Sequence, residues 1–156
     1  GECMSLKRWP LFAKIGCTKA IIFVIQNKFN MSKQIINTDK APAPIGPYNQ
    51  SVKANGLLFI SGQIAIDPAT GNIDATDIEG ETHQVMKNLA AILNEAGLDF
   101  SAVVKTTIFL TDMSLFATVN GIYAEYFTGD HPARETVAVK GLPKAVNVEI
   151  SMIAAG

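Results

Sequence analysis

Residues 51–60 read Ser51-Val52-Lys53-Ala54-Asn55-Gly56-Leu57-Leu58-Phe59-Ile60. Asn-Gly between two such arms is the strongest short-range signal for a β-hairpin, because both residues tolerate the positive φ that a tight two-residue turn requires. The stretch therefore predicts two antiparallel strands at the front of the domain. Just upstream, Ala41-Pro42-Ala43-Pro44-Ile45-Gly46-Pro47 cannot be regular structure, since its three prolines remove N–H donors and fix the backbone. Just downstream, Asp67-Pro68-Ala69-Thr70-Gly71 reads as a second turn-rich connection.

Beyond that turn the apolar period changes from two to 3.6. Val85, Leu89, Ile92, Leu93 and Ala96 fall on one face of a helix over 78–96, and Gly97 sits where a left-handed C-terminal cap belongs. Val103–Thr111 is rich in β-branched residues and reads as a strand. Asp112 or Ser114 can cap a second helix running through Phe127, with Leu115, Phe116, Val119, Ile122, Tyr123 and Tyr126 as its stripe. Gly129-Asp130-His131-Pro132 breaks the chain. Two final strands are expected near Thr136–Lys140 and Val146–Ala154, separated by Gly141-Leu142-Pro143-Lys144. Strands, helix, strand, helix, strands make an α/β (α+β) domain: a mixed sheet with both helices on one face.

Composition bounds the function. The chain has 156 residues, 48% hydrophobic and 17% charged, which suits one globular domain over 31–156. Residues 1–30 carry five basic residues and one acid, whereas 31–156 carry eight basic and thirteen acidic residues. An acidic body offers no electrostatic footprint for nucleic acid. Cys3 and Cys17 both lie in the first thirty residues, so a cysteine nucleophile or a Cys/His metal site is not expected in the body. His83 and His131 stand far apart in sequence, a poor pattern for a metal. In segment 1–30 the longest apolar run is Ala20–Ile25, too short to span a bilayer. The segment reads as an N-terminal extension: either a mitochondrial-type transit peptide, or an upstream or artificial addition before a start at Met31.

No dinucleotide fingerprint, P-loop, nucleophile elbow or HExxH is present. What remains is Arg134, the only arginine after residue 30, and Glu149 in a largely apolar strand. A guanidinium presents a planar fork that matches a carboxylate, so Arg134 can anchor a small organic acid; the plainer alternative is a surface ion pair. Alternation puts Val148, Ile150 and Met152 on one face and Asn147, Glu149, Ser151 and Ile153 on the other. Glu149 then faces either solvent or a cleft that would raise its pKa and suit it to acid–base work. Tyr48 can close a pocket or pack on the sheet. Ser61-Gly62 marks either a close backbone approach to a ligand or an ordinary strand-end bend. Asn120 faces solvent or reaches a pocket from mid-helix.

Several ordered blocks resemble the RidA/YjgF reactive-intermediate deaminases. They are Ala43-Pro44-Ile45-Gly46-Pro47-Tyr48, Phe59-Ile60-Ser61-Gly62-Gln63, Phe116-Ala117-Thr118-Val119-Asn120, Pro132-Ala133-Arg134-Glu135-Thr136-Val137-Ala138-Val139, Gly141-Leu142-Pro143 and Val148-Glu149-Ile150. The resemblance runs from about Ser32 to the C-terminus. It implies a chorismate-mutase-like protomer of the bacillus type, three copies forming a central barrel, and clefts between neighbours. It implies hydrolysis of 2-iminopropanoate and 2-iminobutanoate, the products of pyridoxal-phosphate-dependent dehydratases, to 2-keto acids and ammonia without a cofactor or metal. In that scheme Arg134 holds the carboxylate and Glu149 handles protons. Tyr48 and Asn120 shape the pocket from across an interface, Ser61 and Gly62 line it with backbone, and Thr136 stands where many members have cysteine. Cytoplasmic residence is expected, or mitochondrial if 1–30 is a transit peptide. Some relatives are described as translation-inhibiting endoribonucleases, and a non-catalytic, chaperone-like or acid-sensing trimer is a third possibility.

Overall fold

The structure, a computed structural model, describes residues 33–156. The readings made for 1–30 and for a start at Met31 lie outside the described residues. The strands are β1 (Gln34–Ile36), β2 (Ser51–Ala54), β3 (Leu57–Gln63), β4 (Val103–Leu110), β5 (Ala133–Ala138) and β6 (Val148–Ala155). The helices are α1 (Ile78–Glu95) and α2 (Phe116–Glu125). The six strands form one sheet in the order β1-β2-β3-β6-β4-β5. Only β4 and β5 pair in parallel, because α2 carries the chain back between them. The sheet is mixed, as expected.

Local chemistry places each element. The β2–β3 turn has φ of 51° at Asn55 and 73° at Gly56, the two positive values that make Asn-Gly the right pair there. Asp77 caps α1 by accepting from Gly80 N at 2.7 Å. Gly97, at φ 74°, closes that helix. Its N–H donates to Asn94 O at 3.0 Å and that of Leu98 to Leu93 O at 2.9 Å, the pattern of a left-handed cap. Alternation in β6 buries Val148, Ile150, Met152 and Ala154 against Val85, Met86, Leu89, Ile92 and Leu93 of α1.

Several boundaries differ from expectation. The short edge strand β1 had no periodic signal. β3 does not end at Ser61-Gly62; it runs to Gln63 through a β-bulge opposite β6. β5 starts at Ala133 and ends at Ala138, rather than spanning Thr136–Lys140, because its register with β4 begins at Lys105↔Ala133. β6 starts two residues late: Asn147 N donates to the Glu81 carboxylate at 2.7 Å. The second helix opens with a 3-10 turn, Met113–Leu115, capped by Asp112.

The other face of the sheet is open and apolar. Ile35, Val52, Phe59 and Ile153 lie in register across β1, β2, β3 and β6. Phe109 and Val137 continue the face on β4 and β5. Ile35, Phe59 and Val137 are 41–44% exposed, which is a great deal of bare hydrocarbon for an isolated protomer. A Lys105–Glu135 ion pair, with Thr107 donating to the same carboxylate, lies on that face.

Candidate active site

The register of β5 decides where Arg134 points. Arg134 pairs with Thr106, a fully buried residue of β4, so its side chain lies on the helix side of the sheet. There its guanidinium carbon stands 5.0 Å from the centre of the Tyr123 ring and 5.9 Å from that of Phe116. Both rings belong to α2, whose helical spacing sets them one above the other. Tyr123 is itself fixed, since its hydroxyl donates to Thr106 Oγ1 at 3.1 Å. Burial pushes the Tyr123 hydroxyl pKa up, opposed by that hydrogen bond and by the charge of Arg134. Among the described residues no carboxylate pairs with Arg134. Its cation is stacked on aromatic faces and open toward a cleft of about 290 Å³ lined by Asn120, Tyr123, Ala124, His131 and Pro132.

Thr136 follows Arg134 by two residues and shares its face. Its hydroxyl oxygen is buried and has no hydrogen-bond partner. A buried hydroxyl left unpaired is costly, and a ligand oxygen is one partner that would relieve it.

Glu149 belongs to a second cluster. It pairs with Phe109 and alternates with buried Val148 and Ile150, so it projects from the open face. Its carboxylate lies against Gly62: a Cβ there would come within 2.8 Å of Glu149 Cδ. The bare backbone at Gly62 thus leaves room for the Glu149 carboxylate, a close approach by a side chain of the same protomer. Burial raises the Glu149 pKa, as expected of a carboxyl in a cleft. The bulge beside it is held from several directions. Ser61 Oγ donates to Asn49 O at 2.7 Å, Ser61 N to Gln50 O at 3.0 Å, and Gln63 Nε2 to Ser61 O at 3.1 Å. Tyr48 lies at the same end. Its N–H donates to Gly46 O at 2.9 Å and its hydroxyl accepts from Ile45 N at 3.3 Å, leaving the ring 45% exposed. With Pro42, Gln50, Gly62 and Gln63 it lines a small cavity.

The expected residues thus divide into two groups within one protomer. Arg134, Thr136 and Asn120 form one; Tyr48, Ser61, Gly62 and Glu149 form the other. Tyr48 and Asn120, expected to shape the pocket from across an interface, fall in different groups of the protomer: Asn120 shares the cleft of Arg134, and Tyr48 the cavity beside Gly62. Sequence reasoning took Phe116 and Tyr123 as core stripe and missed their place under the guanidinium. It also missed His131 on the cleft wall and Gln50 behind the bulge. His83 is engaged elsewhere, with Nδ1 3.0 Å from the Tyr126 hydroxyl. No cluster of three metal-ligating side chains occurs among the described residues. No helix among them is long and apolar enough to cross a membrane.

Comparison with known proteins bears on this arrangement. Residues 38–156 match the family model described as endoribonuclease L-PSP. A chloroplastic reactive intermediate deaminase A of Arabidopsis thaliana is 47% identical over 125 residues, covering 80% of this chain and 67% of its own. A 2-iminobutanoate/2-iminopropanoate deaminase of Mus musculus is 48% identical over 122 residues, covering 78% of this chain and 90% of its own. The crystal structure of a conserved Rid-family protein of unknown function from Yersinia pestis superposes with a TM-score of 0.78 at 49% identity, covering 80% of this chain and all of the other.

Proposed function

The chain belongs to the RidA/YjgF family, the group described by the endoribonuclease L-PSP model, and from that premise we propose that it is an imine deaminase. It takes 2-imino acids such as 2-iminobutanoate and 2-iminopropanoate, the substrates named for the mouse relative, to the 2-keto acid and ammonia. The observation that carries this reading is Arg134, a guanidinium stacked on Tyr123 with no carboxylate partner among the described residues. A 2-imino acid supplies the missing carboxylate and places an electrophilic C=N next to it.

The chemistry needs only proton transfers. Water adds to C2 of the imine and gives a tetrahedral carbinolamine. A proton then goes to its nitrogen, the C–N bond breaks, and ammonia leaves as the hydroxyl gives its proton to solvent and becomes the keto group. Arg134 holds the carboxylate as a two-pronged donor, and the Thr136 hydroxyl and Asn120 amide complete that end. Glu149, raised in pKa by burial, takes the proton from water and returns it to the departing nitrogen. Tyr48 and the Ser61–Gly62 backbone wall the reacting centre. Imines of this kind hydrolyse unaided, so positioning and acid–base help of about 10²–10⁴-fold suffice. No step calls for a cofactor or metal.

The two groups of residues meet only if a second copy contributes one of them. A homotrimer whose open sheet faces turn inward would bury Ile35, Phe59 and Val137 and set Arg134 of one protomer beside Glu149 of the next. For the compartment, the basic, acid-poor segment 1–30 suits organelle import, as in the chloroplastic Arabidopsis relative; without import the protein is cytoplasmic.

The test is a coupled assay in which threonine dehydratase releases the imine from threonine and semicarbazide traps it. The wild type should suppress semicarbazone formation and Arg134→Ala should not. If neither suppresses it, the trimer is a binding protein and the deaminase reading fails.

A further inference from the structure

Gln50 lies between the chain segments that the proposed site needs together. It is 2% exposed and sits just before β2. Its side-chain oxygen accepts from Thr38 N at 2.6 Å. Its side-chain nitrogen lies within hydrogen-bond distance of three carbonyls, Thr38 O at 2.9 Å, Ala41 O at 3.0 Å and Pro42 O at 2.9 Å, which share its two hydrogens. Its own N–H donates to Asn37 Oδ1 at 3.1 Å, and its carbonyl accepts from Ser61 N at 3.0 Å. All of its polar groups are engaged: the carbonyl extends the β2–β3 pairing by one rung, and the side-chain bonds lie outside the sheet.

The side-chain bonds hold Thr38, Ala41 and Pro42, and the main-chain carbonyl holds Ser61, so the residue joins two different pieces of backbone. On one side is the start of the proline-rich loop that carries Tyr48, where prolines leave few N–H donors and carbonyls must find partners elsewhere. On the other is the Ser61–Gly62 bulge, against which the Glu149 carboxylate rests. We propose that Gln50 is a positioning residue that locks the Tyr48 loop to the Ser61–Gly62 bulge, so that Tyr48 and Glu149 keep one relative placement through turnover. The proposal rests on the deaminase reading for its catalytic consequence, but not for its structural one. Only a side chain with an acceptor and a two-hydrogen donor at its end can make the bonds to Thr38, Ala41 and Pro42. Methionine matches the length and offers neither; glutamate would turn oxygens toward the carbonyls.

The experiment pairs Gln50→Met with the wild type as the full-length assembled protein. Hydrogen–deuterium exchange should rise in Gln50→Met in the segment 38–48 and at Ser61, and stay unchanged in β4 and α2. Imine hydrolysis should lose about tenfold to a hundredfold in kcat, the scale of a displaced reacting group, with KM within about threefold because Arg134 is on the other half. The acid limb of the pH–rate profile should move to lower pH as water reaches the loosened Glu149 side. A fall in the folded fraction would lower the amplitude without moving that limb. Unchanged limbs with kcat/KM within twofold, or exchange raised evenly over the sheet, would overturn the proposal. If Gln50→Met does not fold, Asn37→Ala removes one of the same bonds and must show the same local exchange pattern, weaker; its absence overturns the proposal equally. If the wild type hydrolyses no imine, the deaminase reading falls, and the exchange pattern alone decides the role of Gln50.

Discussion

Arg134 and Glu149 project from opposite faces of a single sheet: Arg134 shares a face with buried Thr106, and Glu149 shares the other with Phe109. A substrate short enough to fit a 2-imino acid cannot touch both within one protomer. In the proposed trimer this relationship makes the assembly part of the chemistry.

Mixed trimers should therefore recover what each variant has lost. Arg134→Ala and Glu149→Gln should both be inactive alone. Refolded together in equal amounts, they should regain about one quarter of wild-type activity, because one interface in four pairs an intact arginine with an intact glutamate. No recovery from stable mixed trimers would place both residues in one protomer's site.

Gly62→Ala should lose activity by about a hundredfold, since the methyl group occupies the place of the Glu149 carboxylate and drives it away. Overpacking of this kind also costs about 1–3 kcal/mol. Steady-state kinetics and chemical denaturation check the two effects separately. Full activity would mean that Glu149 works from elsewhere.

Burial raises the Glu149 pKa, so between the ordinary carboxylate range and the raised value the native state binds a proton that the unfolded chain has released. Stability contributed by this group then falls as pH rises through that window. Glu149→Gln removes the titration. Its melting temperature relative to wild type should be lowest in acid and climb toward neutrality, measured without substrate. A relative value that falls with rising pH would put a cation on Glu149.

Gly97→Ala should cost about 1–2 kcal/mol, the penalty of a Cβ in the left-handed region. The cost is purely torsional, since a Cβ there meets nothing within 4 Å. Urea unfolding measures it. Imine hydrolysis should be unchanged, as Gly97 belongs to neither half of the site.

Local signals were strong for the elements that carry a local code. Asn55-Gly56, Gly97 and the alternation of β6 were each legible because turn φ values, helix caps and strand period depend on neighbouring residues alone. The strand β1 was not, since three residues give no period. The bulge at Ser61-Gly62 was readable only as a glycine of uncertain purpose, because a bulge is defined by the register of its partner.

The sequence by itself determined the α/β order of elements, the alternating faces of β6, and, through its family blocks, the residue types of the proposed site. Only the tertiary structure decided that Arg134 is stacked on Tyr123, that Glu149 lies against Gly62, and that the two charges lie on opposite faces. The reason is physical. Alternation says that a strand has two sides, but which side is buried, and which register sets a neighbour's side chain there, follows from packing across the sheet and against helices far away in sequence.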